Sequence, residues 1–557
     1  MRTHGQRQPR PNRPGQAPAT ALLHLGRRLW QRRFALVYLA CVCAFALQVA
    51  RFGDRHTGYS SLILFGDHFA PQRLPQLADV PLYTYARQIG YDGQFYAQIA
   101  VAGNPFNREL GHALDAPAYR ERRILLPLVA HAVGLGRPAL IIQLFAVANL
   151  LSLVLLAALL ARWWFPPTDV DNLIRWAGIL FGAGLVVSAT RSLTDGPALL
   201  LIAIGARQLE RGRTAAAAIA LGLAGLVRET SVLCAAAFWP SERDGPQSPQ
   251  DQKDPQGPSV AARRRAVLAM IVCVGPIALW TAILFKHYGR IGGLHNIAPP
   301  FFALPNKVRE LAGVWRTRGF DPAMRDEILL AAALAVQIGF LIARPQPQQP
   351  WWRIGASFAA FAAFLGWPVW EGFPSAAARA LLPVSLAFNR LVPRTRRGLL
   401  LLAVGNLGVL TVPDLVDSIG PTEQLTFVDG VGARYEAGWM VPEHAGRDTW
   451  RWASGTATLT LDNPSVSPRT VTLDFQLRSV LARSVTVSAA TNPVRADTFT
   501  LLPDRTVPVH LGPFALPPGK TTVVFSTDWP AWIEPGPARR PLAFSVHRLY
   551  ASVAPEP

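Results

Sequence analysis

The chain has 557 residues and a formal net charge of +20; half of its residues are hydrophobic and only 16% are charged. A soluble protein of this size carries about a quarter charged residues, so long apolar runs rather than a water-facing surface explain the deficit. The excess of Lys and Arg is not one basic face of the kind that binds nucleic acid. It is divided among an Arg-rich N-terminus, ERGR (210–213), RRR (263–265) and RTRR (394–397), each beside an apolar run, which is the positive-inside pattern of a polytopic membrane protein.

Residues 1–33 are rich in Arg, Pro and Gln with no acidic residue, and read as a cytoplasmic tail. The tail is long for a signal peptide and several apolar runs follow it, so 34–50 reads as a first span rather than a cleaved leader. Further spans are expected near 138–161, 174–190, 196–208, 214–227, 229–240, 266–286, 326–344, 353–370, 378–391 and 398–413, about eleven in all. Placing the basic clusters inside makes the loops 51–137, 287–325 and 371–377, and everything after 413, extracytoplasmic. The stretch 122–136 begins with two arginines and contains Pro127 and His131; a crossing there would invert the later loops, so it is expected to lie in the interface. The run 214–240 is long for one span and is interrupted by RET (228–230), which suggests two short helices meeting near Arg228. Residues 241–260 are polar, Pro- and Gln-rich and read as a flexible cytoplasmic loop.

From about 430 the pattern changes. The segments 456–463, 469–477, 483–489, 520–528 and 542–549 alternate apolar and polar residues, with Pro, Gly and Asn between them, and predict a small antiparallel β-sandwich over 430–557. Its tryptophans, Trp439, Trp450, Trp452, Trp529 and Trp532, suit either a core or a sugar-stacking surface. Cys41, Cys43, Cys234 and Cys273 all lie in apolar runs without metal-ligand spacing, and read as small buried residues.

The chemistry-bearing candidates gather on the extracytoplasmic side. In GYDGQFYAQIA (90–100) the chain can form a helix that breaks at Gly90 and resumes after Gly93. Asp92 then either caps the helix starting at Gln94 or faces a cavity, where Tyr91, Phe95 and Tyr96 would desolvate its carboxylate and raise its basicity. In RSLTDGP (191–197), Arg191 and Asp195 follow a span that ends outside, and Asp195 also has the position of a helix cap. Arg120, Arg122 and Arg123 at the interface suit a lipid phosphate or ordinary anchoring to anionic headgroups. Arg228 and Glu229, at membrane depth, form either a structural ion pair or part of a site.

YDGQFY (91–96), RRILLPLVA (122–130), SLTDGPALLL (192–201) and GLAGLVRETSVL (222–233) occur in an order that resembles GT-C glycosyltransferases, in particular bacterial cell-surface glycopolymer proteins carrying a DGQFY sequence. The resemblance covers about the first 240 residues and implies a GT-C-like transmembrane domain over 34–413 in a bacterial cytoplasmic membrane. It implies transfer of a sugar from a polyprenyl-phosphate donor to a glycan, lipid or protein acceptor, with Asp92 as the base. Arg228 or one of Arg120, Arg122 and Arg123 would neutralise the leaving phosphate, and Asp195 would orient hydroxyls; Tyr91, Gln94, Tyr96, Arg191 and Glu229 would complete the substrate site. A divalent metal occurs in some such enzymes, and no His/Asp cluster here requires one. The competing expectation is a non-catalytic flippase or assembly factor, but the chain shows no internal repeat and its polar density is in one loop rather than at mid-depth.

Overall fold

The computed structural model describes residues 17–557 except 54–56, 67, 86–88, 240–259, 291, 294–295, 319–321, 371–375, 418–423, 428–430, 441–442, 446–447, 464, 492–493, 536–538 and 555–557. The expected cytoplasmic loop 241–260 and most of the expected outer loop 371–377 therefore lie outside the described residues, as does the first half of the expected tail.

In chain order the helices are α1 (Ala17–Ala50), α2 (Asp92–Ala102), α3 (Arg108–Ala113), α4 (Pro117–Arg120), α5 (Leu125–Val133), α6 (Pro138–Trp163), α7 (Val170–Leu180), α8 (Ala183–Thr190) and α9 (Asp195–Glu210). They continue as α10 (Thr214–Val227), α11 (Val260–Tyr288), α12 (Leu304–Arg318), α13 (Pro322–Ala343), α14 (Pro350–Ala362), α15 (Trp367–Trp370), α16 (Ala376–Ala380), α17 (Leu382–Leu391), α18 (Arg396–Gly405) and α19 (Val412–Asp417). Helix α1 is continuous from Ala17, so the segment expected to be wholly a tail is already helical well before Phe34.

Among the described residues, four helical stretches, Arg33–Ala50, Pro138–Trp163, Val260–Tyr288 and Met324–Ala343, are long and apolar enough to cross a bilayer. A fifth arises if α7 and α8, bent by 47° at their junction, count as one. The other apolar runs expected as spans form shorter helices, from 16 residues in α9 down to 10 in α17 and α18. Many of their side chains join the core around Trp176, Trp351, Phe358 and Phe388, while α10 exposes Ile219 and α18 exposes Leu399, Leu400 and Val404. Apolarity and length alone do not separate an interior helix from a short span. At Arg228 the chain does break: α10 gives way to a 3-10 helix over Glu229–Phe238.

Between α1 and α2 the expected helix before Gly90 is instead a strand. Strand β1 (Phe65–Gly66) pairs in parallel with β2 (Leu82–Tyr85), and β2 pairs antiparallel with β3 (Gln424–Phe427), Leu82 opposite Phe427 and Tyr85 opposite Gln424. The aromatic and β-branched run Tyr83-Thr84-Tyr85 favours this extended form once a partner strand is present. That partner comes from beyond the last helix. A ladder hydrogen-bonded in this way cannot straddle a bilayer, so loop 51–137 and the chain after α19 share one side of the helices.

The C-terminal region is β-rich. One five-stranded sheet runs Arg495–Leu501, Arg483–Ala489, Gly519–Ser526, Ala457–Asn463, Gly432–Tyr435; the other runs Thr506–Leu516, Arg469–Arg478, Phe544–Val553, Asp448–Ala453, Glu443–Ala445. Alternate residues such as Leu459, Leu461, Leu473, Phe475, Val485 and Val487 fill a common core between them. Trp439 packs into this core and donates to the Thr458 carbonyl, Trp450 stacks on His547, and Trp529 is exposed.

Candidate functional site

The two aspartates singled out from the sequence occupy the same local position. Asp92 is the first residue of α2 and Asp195 the first of α9; the cap positions are Tyr91 and Thr194, neither of which makes a side-chain cap hydrogen bond. Both capping expectations are thus corrected. Each carboxylate is favoured by the positive end of its helix but is turned toward arginines instead of its own backbone. The glycine after each is a close-approach residue. A Cβ on Gly93 would sit 2.6 Å from the Arg191 carbonyl oxygen and 2.8 Å from that of Ile63, and one on Gly196 would sit 2.6 Å from Asn149 Oδ1. Gly93 lets the start of α2 close on the 191–192 turn, and Gly196 lets the start of α9 close on Asn149 of α6.

Around them stand six arginines. Arg120 forms a two-pronged pair with Asp115, at 2.8 and 2.7 Å, and places Nη1 2.8 Å from Asp92. Arg123 grips Glu229 with Nε and Nη2 at 2.8 and 3.0 Å, and also donates to the hydroxyls of Tyr96 and Tyr119. Arg228 pairs with Asp195 and donates to Thr230. Arg379 reaches Asp195 at 3.4 Å and the Tyr91 hydroxyl at 3.0 Å. The remaining two differ. Arg122 comes no nearer than 4.0 Å to Glu229 and its Nε is buried without a partner. Arg191 lies over the Tyr91 ring and, among the described residues, has no carboxylate within ion-pair distance. Against six arginines stand Asp92, Asp115, Asp195 and Glu229, which leaves an excess of two positive charges at these two side chains.

Asp92 and all six arginines line one cavity of about 760 Å³, together with Tyr91, Tyr119 and Glu229. The lining also holds an apolar set: Val232, Leu233, Ile277, Ile297, Phe361, Leu365, Pro368 and Val369. The cavity is therefore amphiphilic, with a cationic pole fitted to a phosphate and an apolar side fitted to hydrocarbon. Asp92 is not the strengthened base expected from its aromatic neighbours. Burial alone would raise its proton affinity, but Arg120, Arg379 and Arg123 outweigh burial and hold the carboxyl below its usual value.

Other expected site residues stand behind the wall. Asp195 does not line the cavity and acts on it through Arg228 and Arg379. Gln94 braces β1, accepting from the Gly66 amide and donating to the Ile89 carbonyl. Tyr96 supports Arg123. Sequence reasoning missed Tyr119, whose ring lies under Arg120, Arg122 and Arg123, and Arg379, an arginine at the start of an apolar run. It also missed Glu121. This fully buried carboxyl accepts from Tyr288 at 2.8 Å, has its other oxygen unpartnered, and is raised by burial to about 7, with the Tyr288 hydrogen bond opposing. Among the described residues no three His, Cys, Asp or Glu side chains converge, so no metal-ligand set is assigned.

No protein-family model matches the chain, and no curated protein matches it. Among solved structures, the cryo-EM structure of arabinosyltransferase EmbB from Mycobacterium smegmatis matches at 11% identity with a TM-score of 0.29, over 82% of this chain and 62% of that one. The chain thus covers less than two thirds of that protein's length. A superposition this loose establishes neither fold nor chemistry.

Proposed function

We propose that this chain is a GT-C-type membrane glycosyltransferase that moves a sugar from a polyprenyl-phosphate donor to an extracytoplasmic acceptor during cell-surface glycan synthesis. The observation that carries the reading is the cavity itself, where Asp92, Glu229 and an excess of arginines share the lining with apolar side chains, among them Ile277 of the membrane-length helix α11. The acceptor hydroxyl attacks the anomeric carbon, the bond from that carbon to the phosphate oxygen breaks, and the proton of the hydroxyl passes to Asp92. The depressed proton affinity of Asp92 suits a late transfer, because the attacking oxygen becomes strongly acidic as its new bond forms. Arg122 and Arg191, without close carboxylates, are free to take the charge that grows on the leaving phosphate, whereas Arg120 and Arg123 are committed to Asp115 and Glu229. Asp195 holds Arg228 and Arg379 in place, and Tyr91 positions Arg191.

The test is Asp92→Asn in cells, with surface glycan measured at matched protein level. Loss of glycan supports the assignment. Unchanged glycan would favour the second reading, a non-catalytic anion-binding component of a glycopolymer system, which the tight Asp92–Arg120 pairing otherwise recommends.

A further inference from the structure

Helix α12 is rich in charge, yet its outward face is apolar. Pro305, Val308, Ala312 and Trp315 recur at spacings of three and four, and all are exposed. The opposite face is engaged, Lys307 pairing with Glu310 and with Glu327 of α13. Arg309 and Arg316 are exposed along the edge of the apolar stripe. Over the helix, Lys307, Arg309, Arg316 and Arg318 stand against Glu310 alone.

The apolar stripe continues toward the cavity. Phe301 and Phe302 are both more than half exposed. Phe301 has φ 62, a left-handed backbone that a large side chain adopts only when its surroundings impose it. Hydrogen bonds from the amides of Ala298 and Phe301 to the carbonyls of Phe364 and Ala363 hold this corner to the end of α14. Ile297, just before it, is half exposed and also lines the cavity. Helix α12 packs on α15, whose Pro368 and Val369 belong to the apolar wall.

We propose that α12, with the Phe301–Phe302 corner, lies in the headgroup region of the bilayer on the cavity side and leads the hydrocarbon tail of the donor along Ile297 to the apolar wall. The membrane is the occupant that fits this face. The segment leaves one membrane-length helix at Tyr288 and enters the next at Met324, so it starts and ends at a membrane surface. An apolar stripe edged by arginines is the pattern that binds an anionic lipid interface. The placement of α12 stands on its own; the delivery of a tail rests on the lipid-phosphate donor proposed above.

The experiment uses the full chain in nanodiscs containing anionic lipid, with Cys41 and Cys43 replaced by Ala and single spin-labelled cysteines at Val308→Cys, Trp315→Cys and Arg309→Cys. Labels at 308 and 315 are expected to collide more with oxygen than with a water-soluble nickel chelate, and the label at 309 the reverse. Equal access of nickel to all three, or protection of 308 and 315 from both reagents, would overturn the placement. In a second arm, Val308→Glu combined with Trp315→Glu should raise KM several-fold for a long-chain polyprenyl donor, hold kcat, and leave a short-tailed donor unaffected. Equal losses with both donors, or a fall in kcat alone, would overturn tail delivery. Absence of turnover by the parent chain would count against the glycosyltransferase reading and against tail delivery with it, leaving the collision result to decide the placement of α12.

Discussion

The ion clusters around Glu210 and around Asp92, both in the helical part of this molecule, are built to different rules. Around Glu210 both carboxylate oxygens are answered: Oε2 accepts from Trp164 and Arg207, and Oε1 from Trp351 and Arg390. This knot ties α9 to the end of α6, to α14 and to α17. Around Asp92 the arginines outnumber the carboxylates, buried guanidinium nitrogens lack partners, and about 760 Å³ lies open next to them. Unpaired buried charge is costly, and its persistence beside open volume is what the proposed phosphate-binding role expects.

The contrast can be broken inside the site, since its arginines divide into committed and free ones. The largest effect is expected from Arg123→Ala, which strands Glu229 without its two-pronged partner. Breaking a buried pair costs about 3–5 kcal/mol, and protein yield and thermal stability should both collapse. A stable Arg123→Ala protein would show that the committed class is misassigned. Arg122→Ala and Arg191→Ala remove free charges and leave no acid stranded. Each should keep the melting temperature and weaken donor binding by roughly ten- to hundredfold, the value of a charge-assisted bond worth about 1.5–3 kcal/mol. Donor titration in nanodiscs checks this, and a fall in stability with intact affinity would reverse the division.

The smallest effect concerns Glu121. Its carboxyl is carried from 4.5 up to about 7 by burial, so the folded state holds its proton more tightly than the unfolded chain does. Its stabilising contribution is complete below about 4.5 and is lost as pH rises through about 7. Melting temperatures recorded between pH 5 and 8 should decline for the parent chain and decline less for Glu121→Gln. Identical slopes would remove Glu121 from the account.

Much of this arrangement was legible in the sequence where the signal was local. Alternation marked five strands of the C-terminal region within a few residues of their ends, with only the last displaced further, and RET (228–230) marked the break between α10 and the following 3-10 helix. The DG pairs pointed to Asp92 and Asp195, although as caps, because a first-turn aspartate and a capping aspartate look alike until the partner arginines are in place. Non-local features were invisible. Nothing in Leu82–Tyr85 announces a partner more than three hundred residues away at Gln424–Phe427. Arg379 looked like an arginine at the edge of a span, and only the fold brings it to Tyr91 and Asp195. The expected count near eleven spans rests on apolar runs alone, and an apolar run buried among other helices reads like one buried in lipid.

The central claim is that Asp92 takes the acceptor proton in a cavity that binds a lipid-phosphate sugar. Purified parent and Asp92→Asn proteins in nanodiscs, given the same polyprenyl-phosphate sugar and acceptor, test it most directly by measuring donor binding and transfer rate side by side. Donor binding should be retained while transfer falls by roughly 10²–10⁴-fold, the range of a general base. An Asn variant that transfers sugar at the parental rate would contradict the account.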